Sequence, residues 1–175
     1  MTPPNSPQDL AEKAWSAYRG GDYAAAAGAF AEAASACAAR KDDLGAAEMK
    51  NDQSVALLRA KQPQAALEAA QGTEALFAAA GDARRQGIAL ANQASALQAL
   101  KRFKEAIDCY ARAGEALEKA GEDVLRVQVM QLLASLYLGR FKFIDAIIAL
   151  QSGLAGVKNP TTRQRLMKKF LFFRL

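Results

Sequence analysis

The sequence predicts an all-α fold in which successive helical hairpins stack side by side. The first observation is a period of 40 residues. Four aromatic or proline residues recur at that spacing, at Tyr23, Pro63, Phe103 and Phe143. An alanine follows three positions after each of them, at Ala26, Ala66, Ala106 and Ala146. The second observation is composition, since helix-forming residues fill the stretches between only five prolines. A fixed period of this length indicates a repeat architecture.

The N-terminal half is predicted to hold a short leader and two hairpins. Residues 1–7 contain three of the five prolines and lack apolar periodicity, so a flexible leader is expected there. The first hairpin is predicted over about residues 8–41, with a turn at two glycines that can adopt the left-handed conformation ending a helix. The second is predicted over about residues 42–81, and its turn contains Pro63, which suits a first helical position.

The C-terminal half is predicted to hold two further hairpins and a last helix. The hairpins span about residues 82–121 and 122–160, and the helix spans 161–175 as the first half of a fifth unit. Acidic residues begin three of the units at the same 40-residue spacing, at Asp42, Asp82 and Glu122. Negative charge at a helix N-terminus offsets the helix dipole, which favours a helix start at each of these positions.

The fourth unit carries the residues of a known repeat pattern. Its first helix holds Met130, Leu133, Ala134 and Tyr137, and its second holds Ala146 and Leu150. This pattern resembles the tetratricopeptide repeat, which reads Trp-x2-Leu-Gly-x2-Tyr and then Ala-x3-Phe. The longer unit is similar to the extended variants of that superfamily. The resemblance implies a right-handed α-solenoid of about four repeats plus a half-repeat helix.

The resemblance also implies that the first helix of each unit lines a concave groove. The predicted partner-binding residues are Trp15, Tyr18, Arg19, Asn51, Val55, Leu58, Arg59, Asn92, Ser95, Gln98, Gln131 and Ser135. They make one end of the groove aromatic and aliphatic and the other rich in amides and hydroxyls. This favours a peptide or helix of another protein with one apolar end and little charge. An equally weighted alternative is that Trp15 and Tyr18 only cover the open end of the first hairpin.

Some tetratricopeptide domains bind a C-terminal carboxylate with a clamp of lysine, arginine and asparagine. The matching positions here are Ala11, Trp15, Asp52, Ile88 and Asn92. Only Asn92 agrees with the clamp, so chaperone C-termini are not the predicted ligands.

Positive charge is concentrated at the C-terminus. The formal net charge is +5, yet residues 146–175 hold six basic residues and no acid. Four apolar residues of this segment form a possible association surface, namely Phe170, Leu171, Phe172 and Phe173. The alternatives are a capping half-repeat, a surface for self-association or a dedicated partner, and a helix that lies on an anionic membrane. Nucleic acid is disfavoured, because the basic residues do not form an extended stripe.

The sequence disfavours an enzyme. Histidine is absent, which removes the commonest general base and metal ligand, and no phosphate-binding glycine motif is present. Two acidic pairs, Asp42 with Asp43 and Glu122 with Asp123, lie at predicted helix starts and are interpreted as capping residues. Cys37 and Cys109 are interpreted as reduced core thiols. No catalytic residue, cofactor or metal is predicted.

The resulting functional hypothesis is a non-catalytic scaffold or adaptor that binds a segment of another protein in its groove. The alternative is a peripheral membrane or oligomerisation module that acts through the C-terminal helix. Because the sequence shows neither a signal segment nor about 18 consecutive apolar residues, a cytoplasmic location is expected.

Overall fold

The computed structural model describes residues 6–155, 157 and 160–172 of the chain. Within these residues the chain is all-α, with ten helices and no strand. The helices are α1 (Pro7–Arg19), α2 (Tyr23–Ala39), α3 (Asp43–Arg59), α4 (Pro63–Ala70), α5 (Thr73–Ala79), α6 (Ala83–Ala99), α7 (Phe103–Lys119), α8 (Asp123–Leu138), α9 (Phe143–Leu154) and α10 (Thr162–Phe172). None of the described helices combines the length and the apolar composition that crossing a bilayer would require.

The helix starts follow the period seen in the sequence. Helices α2, α4, α7 and α9 begin 40 residues apart, and so do α3, α6 and α8. Seven turns also share a backbone conformation, because the residue just before the N-cap has a positive φ. These residues are Gly21, Lys41, Lys61, Gly81, Lys101, Gly121 and Phe141. The turn geometry therefore repeats even where the residue type does not.

Side-chain caps begin several helices. Asp22, Asp42 and Asp82 each accept a hydrogen bond from a backbone N–H three residues on, at 2.8–3.0 Å. Such caps satisfy donors that have no partner within the helix. Glu122 differs, because it makes no side-chain cap and instead pairs with Arg84 of α6, at 2.8 Å.

Each helix packs mainly against helices close to it in sequence, and α3 also contacts α6 directly. The recurring alanines lie in the core, since Ala26, Ala66, Ala106 and Ala146 are at most 1% exposed. Phe30 and Tyr110, four residues beyond two of these alanines, are also buried. Small side chains at fixed spacing thus let neighbouring helices approach closely.

The second hairpin departs from prediction, because its second helix is broken. Helix α4 ends at Ala70, and α5 begins at Thr73 after Gly72, whose φ is 82°. Glycine adopts this left-handed conformation without the cost of a side chain. Three residues compensate for the break: Thr73 and Gln93 donate to the carbonyl of Ala70, and Asn51 donates to the Thr73 hydroxyl.

The two termini refine the predicted boundaries. Helix α1 begins at Pro7, inside the predicted leader, and Ser6 and Asp9 form a capping box at its start. The rest of that leader, residues 1–5, lies outside the described residues. At the other end α10 begins at Thr162 as expected and is described to Phe172, so residues 173–175 of the predicted C-terminal helix lie outside the described part.

Candidate protein-interaction surface

Helices α3 and α6 lie side by side and run in the same direction. Arg85 pairs with Glu48 at 3.2 Å, and seven residues further along α6 the Asn92 amide lies 3.4 Å from the Asn51 side-chain oxygen. The surface between them is termed the α3–α6 furrow. It is lined by Glu48, Asn51, Asp52, Ser54, Val55, Leu58 and Arg59 of α3 and by Arg84, Arg85, Ile88, Asn92 and Ser95 of α6.

The structure brings five of the predicted groove residues together in one half of the furrow. Val55, Leu58 and Arg59 of α3 meet Asn92 and Ser95 of α6 around an open cavity of about 150 Å³. Its lining therefore combines two aliphatic side chains, an amide, a hydroxyl and a guanidinium. The five residues come from helices that are separated by two others in sequence.

Arg59 connects this cavity with the aromatic residues of α1. Its guanidinium donates to the Tyr23 hydroxyl at 3.0 Å, and its central carbon lies 5.1 Å from the centre of the Tyr23 ring. The Tyr23 ring contacts Tyr18 edge to face at 5.2 Å, and Tyr18 contacts Trp15 in the same way at 5.6 Å. A chain of ring contacts thus extends the furrow across the first hairpin.

Trp15 has features of both roles considered from the sequence. Its ring packs edge to face on the buried Phe30, with 5.2 Å between ring centres, so it covers part of the core. It also remains 37% exposed, so a substantial part of the indole is accessible to a ligand. Tyr and Trp side chains of this kind are favoured at interfaces, because they offer a large apolar surface with one polar group.

Ser95 and Gln98 are held by a buried tyrosine of the following helix. The Tyr110 hydroxyl lies 3.0 Å from the Ser95 hydroxyl and donates to the Gln98 side-chain oxygen at 3.2 Å. The position of Ser95 at the edge of the furrow is therefore fixed by contacts from α7. Burial raises the pKa of Tyr110, so its hydroxyl stays protonated.

Asn51 lines the furrow, but the residue is almost completely buried. The residue is only 5% exposed, and its amide donates to the Ala47 carbonyl and to the Thr73 hydroxyl, each at 3.0 Å. These donors are used to hold the broken α4–α5 segment and are not offered to a ligand. This role could not be predicted from the sequence, since it depends on the break at Gly72.

The other half of the furrow is charged, which the sequence analysis missed. An open cavity of about 110 Å³ is lined by the charged residues Glu48, Asp52, Arg84 and Arg85 together with Asn51, Phe77 and Ile88. Burial, and then the neighbouring Glu48 carboxylate, raise the pKa of Asp52 to about 7. The sequence does contain a pattern that indicates this face of α3. Its residues are Glu48, Asp52, Val55 and Arg59, which follow one another at helical spacing.

The remaining predicted residues are placed apart from the furrow cavities. Arg19 is exposed in the last turn of α1, and Gln131 and Ser135 are exposed on α8. Leu171 is half-buried, and its carbonyl accepts a hydrogen bond from Gln151 of α9 at 2.8 Å. The side chains of Phe170 and Phe172 and the whole of Phe173 lie outside the described part of the chain.

Three other features of the described residues lie apart from the furrow. An open cavity of about 530 Å³ lies between α4 and α7, and its charged residues include the ion pairs Arg102–Glu105 and Arg112–Asp108. Cys37 and Cys109 are unpaired buried thiols, and burial raises the pKa of each. No cluster of three potential metal ligands occurs among the residues that the structure describes.

Comparison with known proteins gives no assignment, since no protein-family model and no curated protein sequence matches this chain.

Proposed function

We propose that this chain is a non-catalytic scaffold that binds a segment of another protein along the α3–α6 furrow. The proposed architecture is a right-handed α-solenoid of four tetratricopeptide-like hairpins with a C-terminal half-repeat helix. The observation that carries the proposal is the furrow itself: two parallel helices present an accessible surface, and the chain of aromatic contacts prolongs it to Trp15. Arrays of stacked helices provide extended surfaces of this type.

The size of the cavities favours a polypeptide ligand. Cavities of about 150 and 110 Å³ are smaller than the 300–1,000 Å³ typical of small-molecule sites, and each can receive a single side chain. A segment that runs along the furrow would place an aliphatic side chain against Val55 and Leu58. The sequence favoured a ligand with little charge. At the other end of the furrow, however, Glu48, Asp52, Arg84 and Arg85 suit polar or charged side chains of the ligand.

The test is a selection of binding peptides from a random peptide library displayed on phage. We expect selection on the wild-type protein to enrich peptides with an aliphatic or aromatic anchor. Val55→Lys should weaken their binding at least about tenfold, because a charge would occupy the apolar cavity. The matched control is Val124→Lys, which changes an exposed valine of α8 outside the furrow and should leave binding unchanged.

Two results would contradict the proposal. The first is a selection that enriches no binding peptide. The second is a set of peptides that bind wild type and Val55→Lys equally while both proteins retain the helical circular dichroism spectrum, because binding would then not use the furrow.

A further inference from the structure

Exposed apolar side chains are concentrated at the turn between α8 and α9 and on the adjoining face of α9. Phe141 in the turn is 82% exposed, and Ile144 in the first turn of α9 is 74% exposed. Phe143 and Ile148 are also exposed, and the rings of Phe141 and Phe143 contact each other at 6.4 Å. The four residues are termed the α9 apolar patch. It lies apart from the α3–α6 furrow in sequence and in lining residues.

Helix stacking does not explain these residues, as the equivalent positions of the other hairpins show. Ile144 corresponds by the 40-residue period to Ala24, Gln64 and Lys104, and Ile148 corresponds to Gly28, Glu68 and Asp108. All six of these residues are exposed. The fold therefore needs no large apolar side chain at either position.

Phe141 is more unusual still, because it combines exposure with an unfavourable backbone conformation. Its φ is 60°, and the equivalent turn residues are Gly21, Lys61 and Lys101. A bulky residue with a positive φ is uncommon and costs free energy relative to glycine. The fold gains little burial from this phenylalanine, so the residue points to a contact outside the chain.

Basic residues surround the patch. Arg140 and Lys142 flank Phe141, and four more basic residues lie on α10, namely Arg163, Arg165, Lys168 and Lys169. Helix α10 adjoins the patch, because Ile144, Ile148 and Gln151 share one face of α9 and Gln151 donates to the α10 carbonyl of Leu171. The acid beside the turn is Asp145, whose carboxylate lies 3.9 Å from the Lys142 ammonium.

The charge of this region identifies the class of partner that it fits. A second copy of the chain would bring the same basic residues face to face, which opposes association. An anionic surface would instead complement them. Exposed phenylalanine at a turn tip, flanked by arginine and lysine, suits the boundary between lipid headgroups and acyl chains, where apolar burial and attraction to anionic lipids add together.

We propose that the α9 apolar patch and the basic residues of α10 dock the protein on an anionic lipid surface. Phe141 and Ile144 enter the headgroup region, while Arg140 and the α10 cations contact the lipid phosphates. The docking is peripheral and leaves the α3–α6 furrow free. It does not depend on the proposed binding of a polypeptide, and each can fail without the other.

The experiment is flotation of the full chain with vesicles of phosphatidylcholine, with or without phosphatidylserine. Wild type should float with the vesicles that contain phosphatidylserine and not with pure phosphatidylcholine. The informative variant is Phe141→Lys with Ile144→Lys, which copies Lys101 and Lys104 of the third hairpin and should keep the fold. We expect it to bind at least about tenfold more weakly although its positive charge is greater.

Two further variants complete the design. Leu76→Lys makes the same type of change at an exposed leucine of α5 and should bind like wild type. Arg163→Gln with Lys169→Gln removes two exposed cations of α10 and should also weaken binding, which keeps the test decisive if the double lysine variant fails to fold.

Several outcomes would overturn the proposal. The proposal is wrong if wild type does not float with phosphatidylserine vesicles. It is also wrong if a folded double lysine variant binds these vesicles as well as wild type does. Light scattering that shows a wild-type dimer and a variant monomer, without vesicle binding, would assign the patch to a second copy. Equal binding of poly-glutamate by wild type and the double lysine variant would assign the region to an acidic polypeptide.

Discussion

At the scale of single residues, the smallest side chains decide how closely neighbouring helices approach. An added Cβ at Gly87 of α6 would lie 2.6 Å from Cγ of Leu117 in α7. An added Cβ at Gly153 of α9 would lie 2.8 Å from Cβ of Met130 in α8. Both distances are far below normal carbon contacts, so these helix pairs depend on glycine for their spacing.

The first prediction concerns Gly87→Ala. Alanine normally stabilises a helix interior by about 1 kcal/mol relative to glycine, but the clash with Leu117 should outweigh this gain. We expect a net loss of about 1–3 kcal/mol in the free energy of unfolding, measured by urea denaturation. The control is Gly28→Ala in α2, where an added Cβ meets nothing within 4 Å and should stabilise the protein. A Gly87→Ala variant as stable as wild type would refute the packing argument.

The second prediction concerns the Asp52 carboxyl. Burial and Glu48 raise its pKa to about 7, above the ordinary value of 3.8 that it regains on unfolding. Between these values the unfolded chain has lost the proton while the folded protein keeps it. The Asp52 contribution is therefore most favourable at low pH, falls as pH rises from about 4 to 7, and stays constant above that range.

The variant Asp52→Asn removes this titration. It should be more stable than wild type at pH 8 by an amount of the order of 2 kcal/mol, and the difference should shrink toward pH 4. Urea denaturation of both proteins across this pH range measures the effect. Parallel stability profiles for the two proteins would show that Asp52 titrates normally.

The sequence predicted single residues well where their role is local. Asp42 and Asp82 cap the helices that follow them, because a cap needs only its own backbone neighbours, whereas Glu122 makes no side-chain cap. The burial of Asn51 was not predicted, because it depends on a threonine 22 residues away. Spacing along one helix indicates a face but does not show what packs against it.

At the scale of elements, the break between α4 and α5 is the main departure from a uniform repeat. The hairpin predicted over residues 42–81 has a single helix after its turn at Pro63. Gln93 reaches the freed carbonyl of Ala70 from α6, while Asn51 reaches Thr73 from α3. The interruption is thus stabilised from two neighbouring helices, which no local pattern could reveal.

The third prediction is that Asn51 and Thr73 act together. Asn51→Leu and Thr73→Val each remove one partner of a buried hydrogen bond, and each should cost about 1–3 kcal/mol. The double variant should cost less than the sum, with a coupling of at least about 0.5 kcal/mol in a double-mutant cycle. Strictly additive losses would show that the two side chains do not support the break jointly.

The end of α9 shows a similar limit of sequence reasoning. Arg126 of α8 is buried, and its guanidinium donates to the carbonyls of Ser152 and Ala155. A cation at the last carbonyls of a helix satisfies groups that have no partner within it and complements the helix dipole. In the sequence Arg126 is one charged residue among many. Only the approach of α8 to the end of α9 gives it this role.

At the scale of the whole molecule, the 40-residue period predicted the order and the register of the helices. It did so because the buried alanines and the helix starts recur at that spacing. The charged half of the α3–α6 furrow and the α9 apolar patch were not predicted. Both arise where individual hairpins differ from one another, and a period describes only what they share.

The two proposed surfaces differ in chemistry. The α3–α6 furrow offers small cavities for side chains between ion pairs and aromatic rings. The α9 apolar patch offers projecting phenylalanine and isoleucine beside basic residues. A protein with both could hold a partner segment while resting on an anionic surface.

Chemical-shift mapping by NMR is the most direct test of the central claim that the furrow binds a polypeptide. A peptide selected on wild type would be titrated into the isotope-labelled protein while backbone amide signals are recorded. We expect the largest changes within residues 48–59 and 84–95, and we expect Val55→Lys to abolish them. Changes confined to α7 and α9, or changes that persist unaltered in Val55→Lys, would contradict binding in the furrow.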